Sequence, residues 1–347
     1  MSTSPEPTPQ ARPHIAQLDG LRGIAILMVF VFHAFKANLF WMGVDLFFVL
    51  SGFLITGILL NEKDRPFGNY IGRFYARRVR RIAPAYLVVL VVTAVIFGTG
   101  FLHYWYLYIG GMNFLIPLDL PYLKTLPLWS LAVEEQFYLL WPLAVFFLSR
   151  KHLMQLAIVL LVAAPVLRFI FTPLMKNGYS IYMLLPFRMD TLASGALIAI
   201  LWPQIQTQLK SDPIAKKKLV RGGWILLGCG LVSAIALNSL GFLPANGNRI
   251  GSTTLMEATL MIATGMFGLA LIGIGRKGYS SKPLVFLGRI SYSFYLFHLT
   301  ALYLVPKNNG ILGFILTVAY SAAMWYLVES PILNQGKKPK VRTAAAN

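Results

Sequence analysis

Long apolar runs alternate with short polar segments along almost the whole chain. Ten of these runs have the length that a helix needs to cross the hydrocarbon layer of a bilayer. They cover residues 15–36, 43–60, 82–99, 129–148, 153–172, 185–202, 222–241, 254–274, 284–305 and 310–328. The pattern predicts an all-α polytopic membrane protein with about ten transmembrane helices.

An eleventh run, residues 104–116, reads YWYLYIGGMNFLI and differs from the other ten. It is short, it is interrupted by glycine, and it is rich in Tyr and Trp, which concentrate at the membrane–water interface. We expect a re-entrant or interfacial segment there. The chain then divides into a polar tail of residues 1–14, a membrane domain of residues 15–330 and a basic tail of residues 331–347.

The composition agrees with a membrane protein. Hydrophobic residues make up 57% of the chain and charged residues 12%, and a water-soluble domain could not bury that much apolar surface. The polar N-terminal tail lacks a charged segment followed by a cleavage site, so we expect the first span to be an uncleaved anchor. The single cysteine, Cys229, excludes an intrachain disulfide framework and a cysteine-rich metal site, and we expect no metal.

The net charge of +19 suggests a nucleic-acid partner at first, but its distribution argues against one. With ten spans and a cytoplasmic N-terminus, 23 basic residues fall in inside segments and five in outside segments. This asymmetry follows the positive-inside rule, and a crossing by residues 104–116 would reverse it for most later loops. We therefore expect both termini in the cytoplasm, a multi-pass protein of the inner membrane, and anionic membrane lipid as a secondary partner.

Arg22 and His33 lie eleven residues apart within the first span. Eleven steps of ~100° bring both side chains to one helix face, roughly 16 Å apart along the axis. Asp19 lies on the same stripe, three residues before Arg22. Ionisable groups inside a membrane span are costly and usually line a functional cavity.

Further ionisable residues fall toward the predicted outer face. Asp45, Glu134, Glu135 and His298 join His33 there, and imidazoles with nearby carboxylates suit proton transfer near neutral pH. Other buried charges in the outer halves of spans are expected to pair with one another and to fix helix packing. These are Arg168, Arg188, Asp190 and Glu257.

An arginine-rich block, RFYARRVRRIAP, leads into the third span on the predicted cytoplasmic side. Arg78 and Arg81 are three residues apart, so their guanidinium groups point the same way on a helix and could hold a phosphate. Arg77 and Arg80 fit the same spacing, and an ordinary positive-inside cluster is the alternative. Glu329, at the inner end of the last span, is placed to pair with a cytoplasmic cation.

Several segments in this order resemble the membrane acyltransferase-3 family, whose members acylate bacterial surface and secreted glycans. They are LDGLRGIAILMVFVFH, GVDLFFVLSGFLI, FYARRVRRIAPAY, PLWSLAVEEQFYLLWP, FRMDTLASGALIA, ISYSFYLFHL and VESP. The matches span residues 17–331, and the ordered set is far more specific than any one motif.

The resemblance implies an acyl-coenzyme A donor, usually acetyl-coenzyme A, and His33 as the essential catalytic residue. It makes Arg22 the motif partner of His33, and we expect Arg22, Arg78 and Arg81, with Arg77 as a further candidate, to bind the donor. Substrate-side candidates from the matched segments are Trp129, Arg188 and His298. Some relatives carry a fused SGNH hydrolase-like domain, whereas we expect a stand-alone form here.

The expected function is therefore an integral membrane O-acyltransferase. His33 would act as a general base or as a transient acyl carrier, oriented by Asp45 or by Glu134 or Glu135. The expected acceptor is a hydroxyl of a glycan or glycolipid, such as lipopolysaccharide, exopolysaccharide or a lipid-linked sugar. A small molecule such as a macrolide or a lipochitin oligosaccharide is an alternative acceptor, and a proton-coupled transporter or flippase is the rival of another class.

Overall fold

The structure is a computed structural model that describes residues 16–114, 118, 127–175, 178–242, 250–306 and 309–335. The predicted polar tail, residues 1–14, and most of the predicted basic tail lie outside the described residues. Regular structure within the described ranges is helical. The α-helices are α1 (Ala16–Phe35), α2 (Gly43–Glu62), α3 (Phe67–Phe97), α4 (Trp129–Phe147), α5 (Arg150–Phe171), α6 (Gly178–Met183), α7 (Met189–Ser211), α8 (Pro213–Ser239), α9 (Ile250–Leu271), α10 (Arg276–Tyr279), α11 (Lys282–Leu304), α12 (Gly310–Met324) and α13 (Ser330–Asn334).

Each of the ten predicted runs corresponds to one long helix. Within the described ranges, seven helices are long and apolar enough to cross a membrane: α1, α2, α3, α5, α8, α9 and α12 with the residues that follow it. The remaining three, α4, α7 and α11, have 19, 23 and 23 residues and carry several of the polar residues singled out above. The protein is thus an all-α polytopic membrane protein, and the count of ten spans and the orientation stay predictions.

Helix α3 extends well beyond its apolar run. It begins at Phe67 and continues for 31 residues, so the arginine-rich block and the apolar segment belong to one helix. At 1.5 Å per residue the helix is about 46 Å long, which exceeds the ~30 Å thickness of the hydrocarbon layer. The helix can therefore cross the hydrocarbon layer and still extend about 16 Å beyond it at its arginine-bearing end.

The described part of the aromatic run, up to residue 114, forms short turns and not a membrane-length helix. Three 3-10 turns, Gly100–His103, Trp105–Leu107 and Met112–Phe114, account for the described part of this region. Gln136 on α4 holds them in place, because its Nε2 donates to the carbonyl oxygen of Gly110 at 3.0 Å and to Oδ1 of Asn113 at 2.8 Å. None of these turns is long enough to cross a bilayer.

Helices α1 and α11 pack in parallel at very close range. A Cβ added at Gly288 would lie 1.8 Å from the carbonyl oxygen of Asp19, so only glycine permits this approach. Further along, the rings of Phe30 and Phe294 meet edge to face with centroids 5.7 Å apart. This parallel contact brings the C-terminal halves of α1 and α11 together and positions the two histidines described below.

Candidate active site

His33 and His298 form a hydrogen-bonded pair, called here the histidine pair. Nδ1 of His33 lies 3.2 Å from Nε2 of His298. Each ring is also anchored to its own helix: Nδ1 of His33 lies 2.9 Å from the carbonyl oxygen of Val29, and Nδ1 of His298 lies 2.7 Å from that of Tyr295. His298 is fully buried, whereas His33 is partly exposed. The sequence singled out both histidines, but it did not predict that they touch.

Three arginines share one cavity of about 140 Å³. Arg22 from α1 and Arg78 and Arg81 from α3 line it, and we call these three residues the arginine cluster. Glu134 from α4 faces the same space. The structure therefore brings together the basic residues that the sequence assigned to the donor, with one carboxylate among them.

One wall of this cavity is a chain of hydroxyl and carboxylate groups. Tyr138 donates its hydroxyl proton to Oε2 of Glu134 at 2.7 Å, and its oxygen lies 2.5 Å from Oγ of Ser51. The guanidinium carbon of Arg78 lies 5.7 Å from the centroid of the Tyr138 ring. Glu134 is thus held by a hydrogen bond on one side and faces a cation-rich space on the other.

A second contact connects the cavity wall to the histidine pair. Oγ of Ser130 lies 2.5 Å from the hydroxyl oxygen of Tyr295, and both residues line the cavity. The backbone carbonyl of Tyr295 is the group that contacts Nδ1 of His298. The space in front of the arginine cluster and the two imidazole rings therefore share Tyr295 as a common boundary.

The members of the arginine cluster differ in their protein partners. Nη1 of Arg22 lies 3.5 Å from Oδ1 of Asp19, one turn earlier on α1, in agreement with their shared stripe. Nη1 of Arg81 lies 3.4 Å from Oε2 of Glu329, which confirms that Glu329 pairs with a cation. Nε of Arg78 is buried and has no hydrogen-bond partner among the described residues.

The structure separates Arg77 from this cavity. Its two Nη atoms donate to the two carboxylate oxygens of Glu62, each at 2.8 Å. Together with Arg73 and Arg80, Arg77 lines a different groove along α3. Of the two pairs with the same spacing, the one that faces the arginine cavity is thus Arg78 with Arg81.

Asp45 and Arg188 form a buried ion pair with each other. Both side chains are at most 1% exposed, and Nη2 of Arg188 bonds to Oδ1 of Asp45. The Arg188 guanidinium also lies over the rings of Phe48 and Tyr182, with its central carbon 5.4 Å from each centroid. The sequence assigned Asp45 to orient His33 and Arg188 to the substrate, whereas the structure connects these two residues to each other.

A second buried ion cluster lies beside this pair. Arg168 on α5 bonds to Asp190 on α7 and to Glu257 on α9, and it also donates to the carbonyl oxygen of Phe187. Arg168 and Asp190 are both 1% exposed. The cluster joins three helices, in line with the packing role that the sequence predicts for these residues.

Glu135 and Trp129 are two further candidates that lie near the cavity. Among the described residues, neither forms a hydrogen bond to the histidine pair. The side chain of Glu135 on α4 lies against Gly110 in the aromatic turns. Trp129 packs on Tyr182 with ring centroids 4.7 Å apart, next to the rings that cover Arg188. Trp129 thus belongs to an aromatic wall shared with the Asp45–Arg188 pair.

Sequence reasoning missed four polar residues that shape the site, namely Ser51, Ser130, Tyr138 and Tyr295. Helical spacing offers a signal for two of them. Tyr138 follows Glu134 by four residues and Tyr295 precedes His298 by three, so each lies one turn from a predicted site residue. The two serines bond across helices, which spacing along the chain does not reveal.

Comparison with known proteins identifies the family of the chain. Residues 15–328 match the family model described as an acyltransferase domain. O-acetyltransferase OatA of Staphylococcus aureus strain NCTC 8325 is 29% identical over 365 residues, and a provisionally named O-acetyltransferase of strain COL has the same identity over the same length. In both cases the match covers 94% of this chain and 58% of the relative, so the chain spans less than two thirds of the length of these curated relatives.

No solved structure matches the chain significantly. The match over residues 15–328 shows that the chain belongs to the membrane acyltransferase-3 family.

Proposed function

We propose that this protein is an inner-membrane O-acetyltransferase that moves an acetyl group from acetyl-coenzyme A to a hydroxyl of a bacterial surface or secreted glycan or glycolipid. One observation carries the proposal. The cavity that holds Arg22, Arg78, Arg81 and Glu134 is bounded by Tyr295, and Tyr295 in turn contacts the histidine pair. A site for a polyanionic donor and a candidate base thus both involve α1, and Tyr295 on α11 borders both.

The arginine cluster fits the phosphate groups of coenzyme A. Guanidinium groups bind phosphate through paired, charge-assisted hydrogen bonds. Arg78 is the best placed to do so, since it lines the cavity and its buried Nε has no hydrogen-bond partner among the described residues. Arg81 keeps its bond to Glu329 and would add positive charge beside it.

His33 would carry the chemistry. It lies on the same face of α1 as Arg22, roughly 16 Å further along the helix, and the flexible arm of the donor would bridge that separation. As a general base, His33 takes the proton of the acceptor hydroxyl while the hydroxyl oxygen attacks the thioester carbon. As an acyl carrier, it would itself accept the acetyl group before passing it on.

The two substrates would enter from opposite faces of the membrane. The basic-residue asymmetry supports a cytoplasmic arginine cluster, where acyl-coenzyme A is available, and an outward-facing histidine pair. The acceptor would then approach along the aromatic wall of Trp129 and Tyr182, beside Arg188. The names of the staphylococcal relatives, which describe O-acetyltransferases, support acetyl as the transferred group.

A labelled-donor assay tests the proposal and separates it from a transporter. Purified protein in lipid vesicles is incubated with acetyl-labelled acetyl-coenzyme A, with and without a glycan acceptor. We expect label in the acceptor, or slow release of acetate without it, and neither with His33→Gln. Intact donor after long incubation, combined with proton-dependent solute uptake, would instead support a transporter. Mass spectrometry of surface glycans from a deletion strain would then identify the acceptor.

A further inference from the structure

The acceptors around His298 fix which of its ring nitrogens carries the proton. Nδ1 of His298 lies 2.7 Å from the carbonyl oxygen of Tyr295. A carbonyl oxygen only accepts, so Nδ1 must be the donor. The ring is 0% exposed, and burial disfavours its ionised form. In the neutral ring, Nε2 then carries a lone pair and acts as a hydrogen-bond acceptor.

Nδ1 of His33 faces two acceptors at once. It lies 3.2 Å from Nε2 of His298 and 2.9 Å from the carbonyl oxygen of Val29. A proton on this nitrogen serves both acceptors. Without that proton, its lone pair would point at the carbonyl oxygen of Val29 and at the lone pair of His298. The proton of neutral His33 is therefore on Nδ1, and the basic lone pair is on Nε2.

We infer that His298 is the positioning residue for His33, holding the Nδ1–H of that ring and thereby presenting Nε2 as the base. The inference rests on the proposed function, because it assigns His33 the role of base toward the acceptor hydroxyl. His298 replaces the carboxylate that orients a catalytic histidine in other enzymes. The sequence placed His298 among the substrate-side candidates, whereas this role acts through His33.

The protons balance in a direct transfer. Nε2 of His33 takes the proton of the acceptor hydroxyl while the hydroxyl oxygen bonds to the thioester carbon. The carbon–sulfur bond breaks, its electron pair stays on the sulfur, and the proton on Nε2 passes to that thiolate. While His33 is ionised, its Nδ1–H bond to His298 becomes charge-assisted and stronger. His298 does not pass a proton onward, because its own Nδ1 faces a carbonyl that cannot take one.

The first test measures which ring nitrogen of His33 carries the proton, and it does not depend on acetyl transfer. The full-length protein is produced with ¹⁵N-labelled histidine, and the chain has five histidines, so the ring signals are few. His33 is assigned by the signals lost in His33→Gln. At mildly alkaline pH, where imidazole is neutral, we expect a protonated Nδ1 and an unprotonated Nε2. A His33 ring protonated on Nε2 would overturn the inference.

The second test compares two replacements of His298 in the acetyl-transfer assay. Leu removes the acceptor, whereas the amide oxygen of Gln can take the position of Nε2. We expect His298→Leu to lower kcat on the order of 10–100-fold, as when a partner that orients a metal-binding histidine is removed, with an unchanged KM for the donor. We expect His298→Gln to recover most of the rate.

A control separates positioning from general damage to the fold. Thr317→Val removes a buried hydroxyl on α12 that bonds to the carbonyl oxygen of Gly313 and should leave kcat unchanged. Equal kcat losses in the Leu and Gln variants, or an effect on KM alone, would contradict a positioning role. If wild-type protein shows no turnover at all, the proposed function fails, while the nitrogen spectra still decide the protonation of His33.

Discussion

Arg81 on α3 forms an ion pair with Glu329, which ends the π-helical turn after α12, with Nη1 and Oε2 3.4 Å apart. Oε1 of the same carboxylate accepts a hydrogen bond from Oγ of Ser293 on α11 at 2.6 Å. Glu329 is 2% exposed. Its two contacts connect the π-helical turn to α3 and to α11 beside the arginine cluster. This fixes Arg81 in place, whereas Arg78 keeps a buried Nε without a described partner. The two arginines of the motif thus have different roles.

Replacing Arg78 should weaken donor binding with little effect on folding. A hydrogen bond to a charged group is worth about 1.5–3 kcal/mol, so Arg78→Ala should raise the KM for acetyl-coenzyme A on the order of 10–100-fold. Arg78→Lys should recover only part of this, because an ammonium group lacks the paired geometry. Steady-state kinetics measures the effect.

Arg77→Ala is the matched control, since it removes a neighbouring arginine whose guanidinium is already bound to Glu62. We expect its donor KM to stay near the wild-type value. If Arg77→Ala raises KM as much as Arg78→Ala does, the block acts through its total charge and the arginine cavity is not the donor site.

Arg81 should matter for stability as well as for the donor. Its removal leaves the buried carboxylate of Glu329 without a cation, and breaking such a pair costs up to about 3 kcal/mol where one partner is partly exposed. We expect Arg81→Ala to lower the unfolding temperature in detergent. Adding Glu329→Gln should restore much of that loss, because it removes the uncompensated charge. A double variant less stable than Arg81→Ala would show that the pair does not contribute in this way.

The sequence predicts the helices and the identity of most site residues, because both depend on local pattern. Each of the ten membrane-length apolar runs corresponds to a helix, and the face shared by Arg22 and Asp19 follows from helical spacing alone. Local pattern also predicts a short segment that does not span the membrane at the aromatic run, and the described residues there form 3-10 turns.

The partners of the charged residues could not be predicted in the same way. Spacing fits Arg77 with Arg80 as well as Arg78 with Arg81, and the choice depends on where Glu62 lies after folding. His33 meets His298 across 265 residues. Such contacts depend on which helices pack together, and a single sequence does not contain that information.

The pair of Asp45 and Arg188 offers a test of whether Asp45 takes part in catalysis. Both groups are buried, so Asp45→Asn alone should cost about 3–5 kcal/mol of folding stability, because Arg188 is left as an uncompensated charge. The double variant Asp45→Leu with Arg188→Met should regain most of that stability, since apolar replacements of a buried pair are often neutral.

Activity then separates the two roles of Asp45. If the residue serves packing, acetyl transfer recovers with stability in the double variant, and this is the result we expect from its bond to Arg188. A stable double variant with the same kcat loss as Asp45→Asn would show that the carboxylate acts on the reaction or that Arg188 contacts the acceptor. Thermal unfolding and kcat, measured on the same preparations, decide between these outcomes.

The orientation of the helices gives the most independent prediction, because it does not depend on activity. Single cysteines are placed at the exposed positions 64, 99 and 217 in a Cys229→Ser background. Ten spans with a cytoplasmic N-terminus put positions 64 and 217 inside, and position 99, just after α3, outside. An impermeant thiol reagent on intact cells should therefore label only Thr99→Cys, and the other two only after lysis.

Positions 64 and 217 also test whether residues 104–116 cross the membrane. Helices α3, α4, α5 and α7 lie between them, and four crossings return the chain to the same side. A fifth crossing in the aromatic run would put position 217 outside, so it would be labelled together with position 99 before lysis. If positions 64 and 217 are labelled on intact cells and position 99 is protected, the whole protein has the opposite orientation in the membrane. The histidine pair would then face the cytoplasm, and transfer from a cytoplasmic donor to an external acceptor would lose its basis.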